Sequence, residues 1–259
     1  TKKFFGEKIL FYNEGIRKLI LNSRLEGINA ANTEVVGIPR FDYVFNKKIN
    51  SVSKLIKKKI VLFSFDPTAK SEYLLEDNTN RLSFEYKLEE FQKNIVSFCK
   101  ENQEYELLIK SKTVPQEITF LKKMLEDLGI RDAHSNIKIV KSETIASTIK
   151  DCSYVAGYSS TTLIEGMLQK KTIVCPDVKA FFNNKSPDLF NNNELGICYV
   201  KSINELYDTF LFQNNIKNNV DPKIVDENRK SFFEQMLFKA DGNSSLRVEN
   251  IIYESFEKR

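Results

Sequence analysis

The chain has 259 residues, 41% of them hydrophobic and including 20 Phe and 10 Tyr, enough for a sizeable core in one large domain or one domain and part of another. Its 39 basic and 35 acidic residues leave a net charge of only +4, and no aromatic-interleaved basic motif or recognition helix accompanies that excess, so nucleic-acid binding is disfavoured. No apolar run approaches about 18 residues, no secretory leader is visible, and four widely spaced cysteines accompany a single histidine, which argues against a membrane span, export, a disulfide framework or a metal site.

Hydrophobic periodicity gives strands and helices in alternation. A strand is expected at 8–12, a helix at 14–23 and a strand at 34–37 that ends in Ile38-Pro39-Arg40-Phe41-Asp42. A helix at 51–58, carrying most of the basic run Lys54, Lys57, Lys58 and Lys59, leads to a strand at 60–65. That run reads as a solvated face, with attraction to anionic lipid as the functional alternative. A polar loop to about Leu82 precedes a long helix at 86–102. Strand 105–110, helix 116–128, strand 137–140 and helix 144–150 follow. Then come strand 153–157, helix 161–169 and strand 172–175. The Asn-rich stretch 183–193 reads as a mobile loop and a candidate lid. Strand 196–200, a helix at 204–212 capped by Ser202, and helices at 222–238 and 245–257 complete the chain.

This pattern predicts an α/β fold, a Rossmann-like parallel sheet with helices on both faces. Ligands of such sheets bind at the carboxyl ends of the strands, where Asp66, Lys110, Ser159 and Asp177 fall. No G-x-G-x-x-G or Walker A motif is present.

Residues 154–166, Tyr-Val-Ala-Gly-Tyr-Ser-Ser-Thr-Thr-Leu-Ile-Glu-Gly, are the most informative stretch. An apolar strand runs into a helix through four hydroxyl residues, Ser159 to Thr162. The first amides of a helix are unpaired and its dipole is positive there, so Ser159, Ser160 and Thr161 suit a phosphate or pyrophosphate. Glu165, one turn on, is placed to bind a ribose. A Ser/Thr N-cap with Glu165 closing a capping box accounts for the same residues without a ligand. Lys110 and Lys112 straddle a strand end on one side of the chain and form either an anion site or a solvated edge. Asp66 reads as a turn cap or a ligand contact, and Arg40 with Asp42 as a salt-bridged turn or a site contact. Tyr158 reads as a core aromatic or a base-stacking one, and His134 as an ordinary exposed histidine.

Four segments in this order resemble the carboxyl-terminal half of GT-B glycosyltransferases, above all bacterial surface-polysaccharide and capsule enzymes, with CDP-glycerol glycerophosphotransferases as cousins. Val35-Val36-Gly37-Ile38-Pro39-Arg40-Phe41-Asp42 resembles a V-x-G-x-P-R-F-D entry to the donor domain. Ile60 to Phe65 with Asp66-Pro67 occupies the place of that domain's first strand. Asp151 through Ser159-Ser160-Thr161 and Glu165 to Lys171-Thr172-Ile173-Val174 is similar to the family's D…S-S-T-x-x-E…K-P-x-I pattern. Asp241-Gly242-Asn243-Ser244-Ser245-Leu246-Arg247 is similar to its D-G-x-A-S-x-R. The family's K-P-H-P after the second strand is replaced by Lys110-Ser111-Lys112-Thr113, which keeps cations but offers no imidazole.

The resemblance implies that residues 1–42 are the end of an amino-terminal GT-B domain and a hinge, and 43–259 a Rossmann-like nucleotide-donor-binding domain. It implies a glycosyltransferase taking a nucleotide-activated sugar or polyol phosphate donor and a glycan acceptor, cytoplasmic and with peripheral inner-membrane contact, and needing no cofactor. It also implies a structural pairing of Arg247 with Asp241. A chain beginning with Thr and holding one full domain is expected to be a piece of a longer enzyme whose catalytic base lies elsewhere, so no catalytic residue is assigned. A nucleotide-sugar hydrolase or epimerase of the same fold, or a non-catalytic nucleotide-binding module, are the alternatives.

Overall fold

A computed structural model of the chain describes residues 4–46, 58–68, 78–111, 115–130, 134–140, 144–182, 195–212 and 221–257. The elements in chain order are β1 (Ile9–Phe11), α1 (Glu14–Asn22), β2 (Thr33–Val35), α2 (Asp42–Asn46) and β3 (Lys58–Phe63). Next come α3 (Asn78–Glu101), β4 (Tyr105–Lys110), α4 (Pro115–Asp127), β5 (Ile137–Val140), α5 (Ile145–Lys150), β6 (Tyr154–Ala156) and α6 (Thr161–Leu168). The last are β7 (Thr172–Pro176), β8 (Ile197–Val200), α7 (Ile203–Phe212), α8 (Pro222–Leu237) and α9 (Ser244–Glu257). The helix expected at 51–58 and the loop at 183–193 lie largely or wholly outside the described residues.

The chain divides into two compact units, one of residues 52–221 and one of 1–51 with 222–259. The two carboxyl-terminal helices thus fall in one unit with the first residues of the chain.

In the unit 52–221, six parallel strands lie in the order β5-β4-β3-β6-β7-β8. Counted from β3 this is 3-2-1-4-5-6, the Rossmann order, with the chain leaving β3 toward one edge first and returning to the other side of β3 through β6. Ile60 pairs with Leu107 on one side and Tyr154 on the other. Successive side chains alternate between faces. Ile60, Leu62, Leu107 and Ile109 pack with Phe91, Ile95 and Phe98 of α3 and with Leu206 and Phe210 of α7. Val61, Val155 and Ile173 point the other way, toward the face where α6 buries Leu163, Ile164 and Met167. Both faces are covered, so the strands are apolar throughout.

The long helix begins at Asn78, eight residues before the apolar periodicity suggests, and the cause is tertiary. Phe84 is fully buried and sits edge-on to Tyr158, Phe181 and Phe182 at 5.5–5.8 Å between ring centroids. Such contacts offset the poor helix propensity of the polar first turns. At the sheet's opposite end, Lys58 lies over the Tyr105 ring and Lys59 faces Glu106 at 4.0 Å. None of the four buried cysteines forms a disulfide, and desolvation pushes the thiols of Cys99 and Cys152 up to about 12.

The other unit holds the parallel pair β1–β2 joined through α1, with α2, α8 and α9. Two of the four family-like segments meet here, some 200 residues apart in sequence. Asp42 is 7% exposed and caps α9 by accepting hydrogen bonds from the amides of Ser244 at 3.0 Å and Ser245 at 2.6 Å. Asn46 Nδ2 donates to Gly242 O at 2.9 Å. Arg247 grips both carboxylate oxygens of Asp241 at 2.9–3.1 Å and donates Nε to Val36 O at 2.9 Å. The implied pairing of Arg247 with Asp241 is therefore present. Gly37 has φ +87°, and a Cβ there would lie 2.6 Å from Ser244 Oγ, so both conformation and space require glycine.

Burial raises the Asp42 pKa, but hydrogen bonds from Ser245 and Ser244 outweigh it and hold the carboxyl below its ordinary value. A depressed folded-state pKa gives stability that is present above the unfolded carboxylate pKa and lost as pH falls through the folded one. Asp42→Ala is expected to cost about 1–2 kcal/mol at neutral pH, as for other lost helix caps. The cost should shrink in acid, below the usual carboxylate range. Urea unfolding of the variant and the unaltered chain at pH 7 and pH 3 checks this.

Candidate functional site

The site is built by the three strands at the centre of the sheet. β3 ends at Phe63, two residues earlier than the periodicity indicates, and releases Ser64 and Phe65 into the loop above the strand ends. β4 ends at Lys110, and Ser111 follows it. β6 ends at Ala156 and reaches α6 through Gly157, Tyr158, Ser159 and Ser160. Ser64, Phe65, Lys110, Ser111, Tyr158, Ser160 and Thr162 line a cavity of about 170 Å³. It lies at the carboxyl ends of β3 and β6, between which the strand order reverses. Helices leaving adjacent strands on opposite faces part there and leave a crevice.

The junction after β6 is tightly specified. Ser159 takes a left-handed conformation at φ +40°, which costs a non-glycine residue roughly 1–2 kcal/mol. Ser160 is extended, with φ −130° and ψ 137°, and is the N-cap of α6. Its Oγ accepts from Thr162 N at 3.4 Å and lies 2.8 Å from Thr162 Oγ1. Gly166 brings the helix close to the sheet, since a Cβ there would meet Ile173 Cδ1 at 2.9 Å and Val155 Cγ2 at 3.2 Å. The amino terminus of α6 is thereby fixed beside the strand ends.

Of the expected site residues, Lys110 and Ser160 face the same cavity. Ser159 holds the turn that precedes it, and Thr161 is exposed at the first turn of α6. Glu165 is 2% exposed and does not line the cavity. With Ser160 as N-cap, the third helical residue is Leu163, so Glu165 is two positions too far along to close a capping box. Lys112 lies outside the described residues. Asp66 accepts from Thr68 N at 2.9 Å and caps the turn after β3. Arg40 is exposed beside the Phe41 ring, and Asp42 caps α9, so both belong to the unit that lacks the cavity. Tyr158, 1% exposed, is both a core aromatic and a wall of the cavity. His134 is half-buried at the entry to β5, away from the cavity.

Thr162 belongs to the hydroxyl run read from the sequence, whereas Ser64 and Ser111 were not marked there as site residues. Each of those two is a hydroxyl directly beyond an apolar strand, a signal visible only once the strand ends are known. Among the described residues no cluster of three or more His, Cys, Asp or Glu is placed to hold a metal ion, and no helix is long and apolar enough to cross a membrane.

No family model and no curated protein sequence matches the chain. Solved structures do. The wall teichoic acid polymerase TagF is similar at 12% identity and a TM-score of 0.61, covering 97% of this chain and 59% of that one. A variant of TagF soaked with CDPG is similar at 11% identity and a TM-score of 0.58, covering 97% and 58%. A putative UDP-N-acetylglucosamine 2-epimerase from Listeria monocytogenes is similar at 12% identity and a TM-score of 0.51, covering 98% and 61%. The chain thus spans less than two thirds of the length of these proteins. At such identity the likeness is one of fold, and the fold is the Rossmann-like α/β architecture of the GT-B class that the sequence resemblance implied.

As the N-cap, Ser160 supports the helix whether or not a ligand binds. Ser160→Ala is expected to lower stability by about 1 kcal/mol, and Ser160→Gly by only a few tenths. Thermal unfolding of the two variants checks this; equal losses would show that the hydroxyl is not a cap.

Proposed function

We propose that this chain is the donor-binding part of a GT-B-type glycosyltransferase that uses a nucleotide-activated sugar or polyol phosphate in building a bacterial surface polysaccharide, with a glycan as acceptor. The observation that carries the reading is the convergence of Lys110, Ser160 and the amino terminus of α6 on one cavity at the switch point of the sheet. A positive helix end, a cation and hydroxyls together suit a phosphate or diphosphate. In transfer they stabilise the charge that develops on the departing nucleotide, which is where fixed dipoles in a water-poor site act most strongly.

The likeness of fold to TagF, including a variant soaked with CDPG, supports a nucleotide-linked donor. The expected ribose contact of Glu165 is not part of the proposal, because the side chain is buried outside the cavity lining. Peripheral membrane contact is also left out, since Lys58 and Lys59 face Tyr105 and Glu106.

A second reading, a nucleotide-sugar epimerase or hydrolase, is favoured by the likeness to the 2-epimerase. Product analysis with and without an acceptor glycan separates the two. Transfer requires the acceptor; epimerisation does not.

Calorimetric titration with CMP-, CDP-, UDP- and GDP-linked ligands tests donor binding. One series is expected to bind, and Lys110→Ala should weaken it by about 1–3 kcal/mol, roughly 5- to 150-fold. Failure of every series to bind would remove the proposal.

A further inference from the structure

The loop after β3 carries a buried hydroxyl that the fold leaves unsatisfied. Ser64 is 5% exposed, and its Oγ has no hydrogen-bond partner among the described residues. A buried polar atom of this kind costs stability, and unfilled hydrogen-bonding capacity at a cavity wall points to a ligand. Ser64 lines the same cavity as Lys110, Ser160 and Thr162.

The loop that presents Ser64 is held by a side chain from a different element. Gln92 of α3 is fully buried, and its carboxamide makes two hydrogen bonds to one neighbouring residue. Its Oε1 accepts from Phe65 N at 3.2 Å, and its Nε2 donates to Phe65 O at 2.9 Å. Both backbone groups of Phe65 are thus satisfied without sheet pairing. On the other side, Ser64 N donates to Lys110 O at 3.0 Å. The backbone that carries the hydroxyl is thus held on both sides. Phe65 and Tyr158, with ring centroids 6.1 Å apart, wall the cavity.

We infer that Ser64 is a ligand-binding residue whose hydroxyl hydrogen-bonds a phosphoryl oxygen of a nucleoside diphosphate group, and that Gln92 is the positioning residue that aims it. This rests on the donor-binding reading above and adds to it two residues to which the sequence assigned no role in binding. Gln92 acts through the backbone of Phe65 and does not touch the ligand.

The test is calorimetric titration of the unaltered chain, Ser64→Ala, Gln92→Met and the double variant with CDP, UDP and inorganic pyrophosphate, each accompanied by a melting curve. Ser64→Ala removes an unsatisfied buried hydroxyl, so its melting temperature should be unchanged or higher. Its affinity for the diphosphate that binds should fall roughly 10- to 150-fold, the loss of one hydrogen bond to a charged group. Gln92→Met should also weaken binding, but add little in the Ser64→Ala background, because the two residues act as one unit. Ser64→Ala binding as tightly as the unaltered chain would overturn this inference alone. Fully additive losses would overturn the role of Gln92, since a side chain that merely supports the fold has no reason to depend on Ser64. No binding of any diphosphate by the unaltered chain would overturn both this inference and the function it rests on. Equal loss with pyrophosphate and with the nucleotides assigns the Ser64 contact to the phosphoryl group rather than the nucleoside.

Discussion

Everything in the sheet-bearing unit follows from the position of β3. It is the first strand of its sheet in chain order yet lies at the centre, with β4 on one side and β6 on the other. Because parallel crossovers are right-handed, a chain that builds outward in both directions from one strand sends its helices to opposite faces. The loops after β3 and β6 therefore diverge and leave a crevice between them. The cavity is a consequence of topology first and of particular residues second. What the residues add is polarity: a helix cap, a lysine at a strand end and hydroxyls, set against the aromatic walls of Phe65 and Tyr158.

The second unit uses its family-like residues differently. Asp42, Gly37, Asp241 and Arg247 close a clasp in which charges meet helix amides, a partner charge or a backbone carbonyl. Their recurrence in one place explains why segments at opposite ends of the chain resemble the same family. A carboxylate at a helix start and a bidentate guanidinium are geometric constraints that tolerate few alternatives. A pattern of this kind identifies an architecture without identifying a reaction.

Much of the fold was legible in the sequence because both-face burial writes long apolar strands and amphipathic helices plainly. Strand 105–110 and strand 137–140 coincide with β4 and β5. The helix cap at Ser202 is present, with Oγ accepting from Glu205 N at 3.3 Å. The errors share one origin, which is contact between distant parts of the chain. Phe84 extends α3 because it packs on Tyr158 and Phe182, neither of which is near in sequence. Ser64 and Gln92 are 28 positions apart and were invisible as a pair, since nothing in local periodicity says that a buried carboxamide ends on the backbone of Phe65.

Amide hydrogen exchange with and without a saturating nucleoside diphosphate tests most directly whether this crevice is where the ligand goes. Slower exchange confined to the loop after β3 and to the first turn of α6, with β1, β2 and α9 unchanged, is the expected result. Protection that spares residues 158–163 and appears elsewhere, or none at all under saturation, would contradict it.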